Sequence, residues 1–378
     1  MNYIQVIDEI FRQFEGLKFS VLTWDGKERT YGKGKVSKFT LIFKDANTVK
    51  RLLSQGSLGF GESYMSGDIK IKGDIEAYLA LRHQFKHIRK SKQLVMAKVF
   101  SDFSMSSRRE DQISYHYDLG NDFFKLILDS KTMSYSSALY ERESDDLGSA
   151  QLEKNEFLYK WLDLKKNDTV LDLGSGWGGF AVQAAQKHGV IVTGYTLSRQ
   201  QLKFSQDLIK KGKLERLVTF KYRNMLNLPK KMFDGVLVLE SIEHVGESSL
   251  PKFFQDLRST VKLGGKLVIQ TTGRYVPKRV DRWTLKYVFP GGYLPSQEEL
   301  LSYARNNGFR LEEFRDDTDH YIKTISEWII NLERNKTEIE KMFSPSFFNL
   351  WQLWMHGAKV AFEMRSMGLF RFSLRRTL

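Results

Sequence analysis

Two apolar rhythms run along the first hundred positions. The stretch from about Ile4 to Phe14 predicts a helix, and the runs Phe19–Trp24 and Lys38–Phe43 read as strands, the second alternating cleanly at Phe39, Leu41 and Phe43. A helix near Thr48–Ser54 follows. The glycines of Gly56–Asp68 then predict a turn, and Ser104–Asp111 reads as a linker. Residues 1–103 therefore form a small N-terminal α/β domain on this reading. From about residue 112 the rhythm changes to strands alternating with helices. Strands are expected at Thr169–Gly176, Val190–Leu197, Leu217–Asn224, Phe233–Ser241 and Gly264–Thr272, with helices at Ala181–Lys187 and Ser198–Lys211. Such alternation with short loops predicts an α/β, doubly wound parallel sheet over residues 104–378, which binds ligands at the carboxyl ends of its strands.

Composition narrows the chemistry. The 378 residues are 41% hydrophobic and 28% charged, the balance of a globular protein, and no run approaches the roughly 18 apolar residues that span a bilayer. The N-terminus carries acids and no small-residue cleavage site, so a cytoplasmic location is expected. Cysteine is absent, which excludes disulfides, thiolate metal sites and cysteine nucleophiles. The seven histidines show no His-Glu-x-x-His spacing, and no metal site is expected.

The formal net charge of +14 calls for a polyanionic partner. From Tyr78 to Ser101 there is no acid, and Arg82, Lys86, Arg89, Lys90, Lys92 and Lys98 interleave with apolar residues. That mixture suits a helix lying on an anionic membrane, and equally an amphipathic helix with a solvated basic face. Nucleic acid is disfavoured, because the fourth strand of the sheet ends in Glu240-Ser-Ile-Glu-His and not in a base-flipping motif.

The sharpest local signal is Val170–Gly179. A buried strand delivers Asp172, then Gly174 and Gly176 allow a tight turn and a close backbone approach, and the next helix offers its positive N-terminus. Dinucleotide enzymes use a related pattern. An acid ahead of the glycines, Gly-x-Gly-x-Gly spacing and no longer pyrophosphate cradle favour S-adenosylmethionine. The second strand ends in Tyr195 and Thr196, without the usual ribose-binding acid, which leaves Thr196 and Gln201 for the hydroxyls.

Seven segments then occur in one order. They are Gln55–Asp68, Tyr115–Asp129 with Met133–Tyr140, the glycine motif, Val192–Gln201, Glu240–Glu247, Lys286–Ser296 and His320–Trp328. Together they resemble the cyclopropane-fatty-acyl-phospholipid synthases and mycolic acid cyclopropane synthases over nearly the whole chain. The resemblance implies transfer of a carbon from S-adenosylmethionine to the cis double bond of phospholipid acyl chains, at the inner face of the membrane. An alkene attacks the sulfonium methyl, and a bound bicarbonate removes a proton from the carbon added. The 13% aromatic content suits a channel that stabilises a cation. Carried over by position, Tyr135, Ser136, Gly174, Gly176, Thr196, Leu197 and Gln201 contact the cofactor, with Asn224 near the adenine. Glu243 and Tyr321 hold the anion, His244 accompanies Glu243, and His116 fixes the cover segment. Family members are often dimers.

Three positions depart from the family's pattern. Ser137 stands where a cysteine is usual, Gln270 where a histidine donates to the anion, and Thr272 where an isoleucine is usual. Glutamine donates but carries no charge, which opens a second outcome, a methyl- or methylene-branched chain. A small-molecule N-methyltransferase and a lipid-binding protein without chemistry are further rivals. The C-terminal stretch Phe347–Arg376 is expected to form one or two helices over the acyl channel. Its Arg365, Arg371, Arg375 and Arg376 either touch head groups or belong to a solvated tail.

Overall fold

The computed structural model describes residues 2–84, 120–276 and 280–377. The basic stretch beyond Gln84, the linker at 104–111 and His116 lie outside the described residues. Contacts divide the rest into two units. The first holds residues 2–84 together with Asp281–Val288 and Asn335–Met364, and the second holds 120–276, Phe289–Arg334 and 365–377. Two later segments thus group with the N-terminal one.

In the first unit a four-stranded sheet runs in the order β2 (Glu28–Tyr31), β1 (Phe19–Leu22), β3 (Phe39–Phe43), β4 (Ile69–Gly73). The alternation read at Phe39, Leu41 and Phe43 puts all three in the core. Phe19 stacks on Phe39 at 5.1 Å between ring centroids. The glycines of 56–68 do not make one turn. Gly56, at φ +58, separates two helices, Ala46–Gln55 and Ser57–Met65. Gly61 lies inside the second helix because a Cβ there would sit 2.1 Å from the Trp283 ring, so close packing and not turning explains it.

The C-terminal expectation is half right. Pro345–Glu363 is a helix, but it packs within the first unit against Ser57–Met65 and Ile75–Gln84. Tyr64 donates to Gln352 at 2.6 Å, and Lys359 pairs with Glu76 at 2.8 Å. The last stretch is not helical at all. Gly368–Arg376 forms a strand buried on both faces, and its arginines are bonded inside the protein. Arg371 pairs with Asp317, Arg375 with Glu312 at 2.6 Å, and Arg376 donates to the Val261 carbonyl, whereas Arg365, ahead of the strand, pairs with Asp319 at 2.7 Å on the exposed surface.

The second unit is built on a seven-stranded sheet. Its order is β10 (Phe309–Asp316), β11 (Gly368–Arg376), β9 (Val261–Gly273), β8 (Phe233–Leu239), β5 (Thr169–Leu173), β6 (Ile191–Thr196), β7 (Val218–Tyr222). Strands β9 through β7 are parallel, and β11 runs antiparallel between β9 and β10. Val170 to Leu173 are wholly buried because helices cover both faces of the sheet. This is the doubly wound architecture the periodicity predicts, with one reversed strand that it does not. Among the described residues no helix is long and apolar enough to cross a membrane.

Candidate active site

The carboxyl end of β5 shapes a cavity of about 240 Å³. Gly174 has φ +84 and a Cβ there would lie 2.5 Å from Ser241 Cβ, so no larger residue fits. Gly176 has φ +52, and a Cβ on it would meet no atom within 4 Å, since this backbone faces open space. Tyr135, Ser136, Asp172, Gly174, Gly176, Thr196, Leu197, Gln201 and Asn224, every position expected at the cofactor, line this one cavity, together with His244. Thr196 and Gln201 are linked by a 2.7 Å hydrogen bond at the end of β6. They give the cavity a polar surface where the sequence carries no acid.

One carboxylate missed in the sequence builds the loop that presents Tyr135 and Ser136. Asp129 accepts from the backbone of Lys131, Thr132 and Ser134 and from the Thr132 hydroxyl, at 2.6–3.1 Å. Lys154, also missed, is completely buried on helix Leu147–Leu162 and donates to Ser136 Oγ at 2.9 Å. Neither was legible, since an acid near a turn and a lysine in a helix are ordinary features until a fold places them.

The other expected residues form a layer behind the cavity wall. Ser137, Glu243, Gln270 and Tyr321 do not line the cavity, whereas Glu240, at the carboxyl end of β8, does. Glu240 Oε1 accepts from the Ser137 N–H at 2.7 Å and from Gln270 Nε2 at 2.6 Å, and the Tyr321 hydroxyl donates to the same carboxylate. The second hydrogen of the Gln270 amide goes to the Ser137 carbonyl at 3.0 Å, while its oxygen accepts from Arg371 at 2.7 Å. Glu243 Oε1 accepts from the Thr271 hydroxyl at 2.8 Å and the Thr272 N–H at 2.7 Å. Its Oε2 is buried without a hydrogen-bond partner among the described residues. The donors expected to hold bicarbonate are therefore engaged by a side chain of the protein. A free bicarbonate does not fit the residues present.

The electrostatics follow from burial. Asp172, with one carboxylate oxygen unpartnered, is pushed up to about 7, and burial lowers Lys154 to about 8. Burial, reinforced by the neighbouring Glu240 carboxylate, pushes Glu243 up to about 8. Glu240 is raised as well, by burial against the bonds it accepts. His244 is held neutral, its pKa lowered by burial to about 4. Glu240 also has φ +44, a left-handed conformation uncommon for residues with a side chain and concentrated at functional sites.

These features agree with the comparisons to known proteins. A family model described as mycolic acid cyclopropane synthetase matches residues 104–372, and a domain of unknown function (DUF7884) matches residues 6–92. The cyclopropane-fatty-acyl-phospholipid synthase of Escherichia coli (strain K12) is 31% identical over 340 residues, covering 87% of this chain and 85% of that protein. A probable fatty acid methyltransferase of Pseudomonas putida is 28% identical over 355 residues, covering 90% and 87%. Among solved structures, mycolic acid cyclopropane synthase CmaA1 complexed with SAH and CTAB superposes with a TM-score of 0.67 at 25% identity, covering 72% of this chain and 99% of that one. With the family model spanning most of the sequence, the chain belongs to the mycolic acid cyclopropane synthetase family of S-adenosylmethionine-dependent methyltransferases.

Proposed function

We propose that this protein adds one carbon from S-adenosylmethionine to the cis double bond of unsaturated fatty acyl chains in membrane phospholipid, giving cyclopropane fatty acids. The glycine cradle, Asp172, and the Thr196–Gln201 pair would hold the cofactor, with Tyr135 and Ser136 closing over it. When bound, S-adenosylmethionine supplies an electrophilic methyl on a cationic sulfur.

The observation that carries this reading is a carboxylate, Glu240, in the wall of the cofactor cavity, with Tyr321 bonded to it. An amine that gains a methyl sheds its proton to water without help. An alkene that gains a methyl becomes a carbocation, whose productive exit is loss of a proton from carbon. That demands a fixed anion in a water-poor site. A branched chain is the second reading. It is favoured by Gln270 in the family's histidine position and by the likeness to a probable fatty acid methyltransferase.

The lipid partner is proposed on the net charge of +14 and on the acid-free stretch Tyr78–Ser101. On that basis the protein works peripherally at an anionic membrane face. Incubation with cis-unsaturated phospholipid vesicles and, in parallel, with a panel of soluble amines tests the proposal. A mass gain of one CH₂ in the acyl chains supports it. Methylated amines with unaltered lipid would overturn it.

A further inference from the structure

We infer that Glu240 is the general base of the reaction, a built-in carboxylate standing where relatives in the resemblance hold a bicarbonate. The inference rests on the one-carbon transfer proposed above and adds the residue that completes it. Three donors on separate segments converge on this side chain, namely the Ser137 N–H before helix Leu147–Leu162, Gln270 on β9 and Tyr321 on helix Thr318–Arg334. Tyr321 and Gln270 stand at positions that the resemblance implies for holding the anion, and Ser137 stands where the family's cysteine is usual.

The backbone supports the same assignment. A glutamate at φ +44 in the sheet's central crevice is strained and brings a carboxylate into a buried site. Lys154 lies near enough to favour its charge without bonding to it. Neither strain nor desolvation helps the fold. Both are accounted for if the carboxylate must face the bound cofactor.

The chemistry balances with two reactants. The π electrons of the cis alkene form a bond to the sulfonium methyl carbon as the sulfur–carbon bond breaks, and its electron pair leaves with S-adenosylhomocysteine. The cation now on the other alkene carbon is discharged when the Glu240 carboxylate takes a proton from the transferred carbon. The released C–H pair closes the third side of the ring, and Glu240 later returns the proton to solvent.

The test uses the full chain in buffer stripped of carbon dioxide. Glu240→Gln keeps the shape and removes the base, and Glu240→Gly relieves the positive φ, with urea unfolding checking that each variant folds. Wild-type turnover on unsaturated phospholipid is expected to change less than about twofold without bicarbonate, and Glu240→Gln to lose about 100-fold or more in kcat. Because Glu240 lines the cavity, S-adenosylhomocysteine affinity is measured for both variants, and a loss in kcat well beyond any loss in affinity is the expected result. Added bicarbonate should restore part of the activity of Glu240→Gly.

A second arm needs no turnover. Carbon-13 bicarbonate is titrated into the S-adenosylhomocysteine complex and followed by NMR. A bound signal is expected in Glu240→Gly and none in the wild type. Bicarbonate bound by the wild type, or activity that vanishes on stripping and returns on addition, would overturn the inference. An absence of lipid product from every chain tested would instead count against the substrate reading, with the binding arm still deciding the role of Glu240.

Discussion

Gln270 and Arg371 face each other on adjacent antiparallel strands, and the 2.7 Å bond between them turns the glutamine amide hydrogens toward Glu240 and Ser137. Gln270 has no rotational choice left. Its oxygen is claimed by a buried guanidinium, so its nitrogen must donate to the carboxylate. Where the resemblance implies a histidine ring as donor, an amide oriented by Arg371 donates here.

Replacing Gln270 with leucine should therefore act twice. It leaves the Arg371 Nε and the Ser137 carbonyl unpartnered, at a stability cost of about 2–3 kcal/mol. It also removes one donor from Glu240. We expect a lowered urea midpoint and a kcat reduced by about tenfold or more, with cofactor affinity unchanged. Equal loss of kcat and affinity would contradict this placement.

Arg371→Met removes the partner of Asp317, a residue only 5% exposed. Asp317 keeps Arg315 at 2.9 Å, so the cost should be at the low end for a broken buried pair, about 3 kcal/mol. Denaturant unfolding measures it. A change below about 1 kcal/mol would mean that Arg371 is not carrying the pair.

At the cradle, Gly176→Val should weaken S-adenosylhomocysteine binding by at least about tenfold, equivalent to about 1.4 kcal/mol. Its branched side chain meets a positive φ and projects into open cavity space. Calorimetric titration reads this directly. Unchanged affinity would remove the glycine face from the binding site.

Tyr321→Phe and Glu243→Ala should lower turnover by about 100-fold while leaving cofactor affinity within about threefold, since neither residue lines the cavity. Parallel losses in both quantities would place these residues at the cofactor instead.

The pH dependence of stability follows from the displaced carboxyls. Folded Glu243 titrates near 8 against an ordinary 4.5, and Asp172 near 7 against 3.8. Between those limits the folded chain binds more protons than the unfolded one, so stability is highest at the acid end and falls as pH rises to about 8. Lys154, lowered to about 8 from 10.5, has the opposite sign and raises stability from pH 8 upward. Calorimetry of the apo protein should show Tm falling from pH 5 to 8, with a shallower fall in Glu243→Gln. A flat profile in the wild type would contradict the burial of these carboxyls.

How much of this was legible beforehand depended on whether an interaction was local. The cradle was readable because Asp172, Gly174 and Gly176 serve a turn that is contiguous in sequence. The four-stranded sheet was half readable, since β3 alternates, whereas β2 and β4 are short and polar on their exposed faces. Pro345–Glu363 was found as a helix, but its packing against the N-terminal helices depends on pairs such as Tyr64–Gln352, nearly three hundred positions apart. The strand ending at Arg376 was hidden because arginine reads as solvated until Asp317, Glu312 and Gln270 are placed beside it. Glu240 went unsingled for the same reason. Beside Glu243 it looked like one more acid in a helix-capping loop, and its role emerges when Ser137, Gln270 and Tyr321 arrive from three other segments.

The most direct measurement uses S-adenosylmethionine carrying a fully deuterated methyl group, with cis-unsaturated phospholipid vesicles as acceptor and mass spectrometry of the released acyl chains. Ring closure by proton loss to Glu240 predicts chains that have gained one carbon bearing two deuteriums. Three deuteriums retained would mean a methyl branch, and label found solely outside the acyl chains would contradict the account at its root.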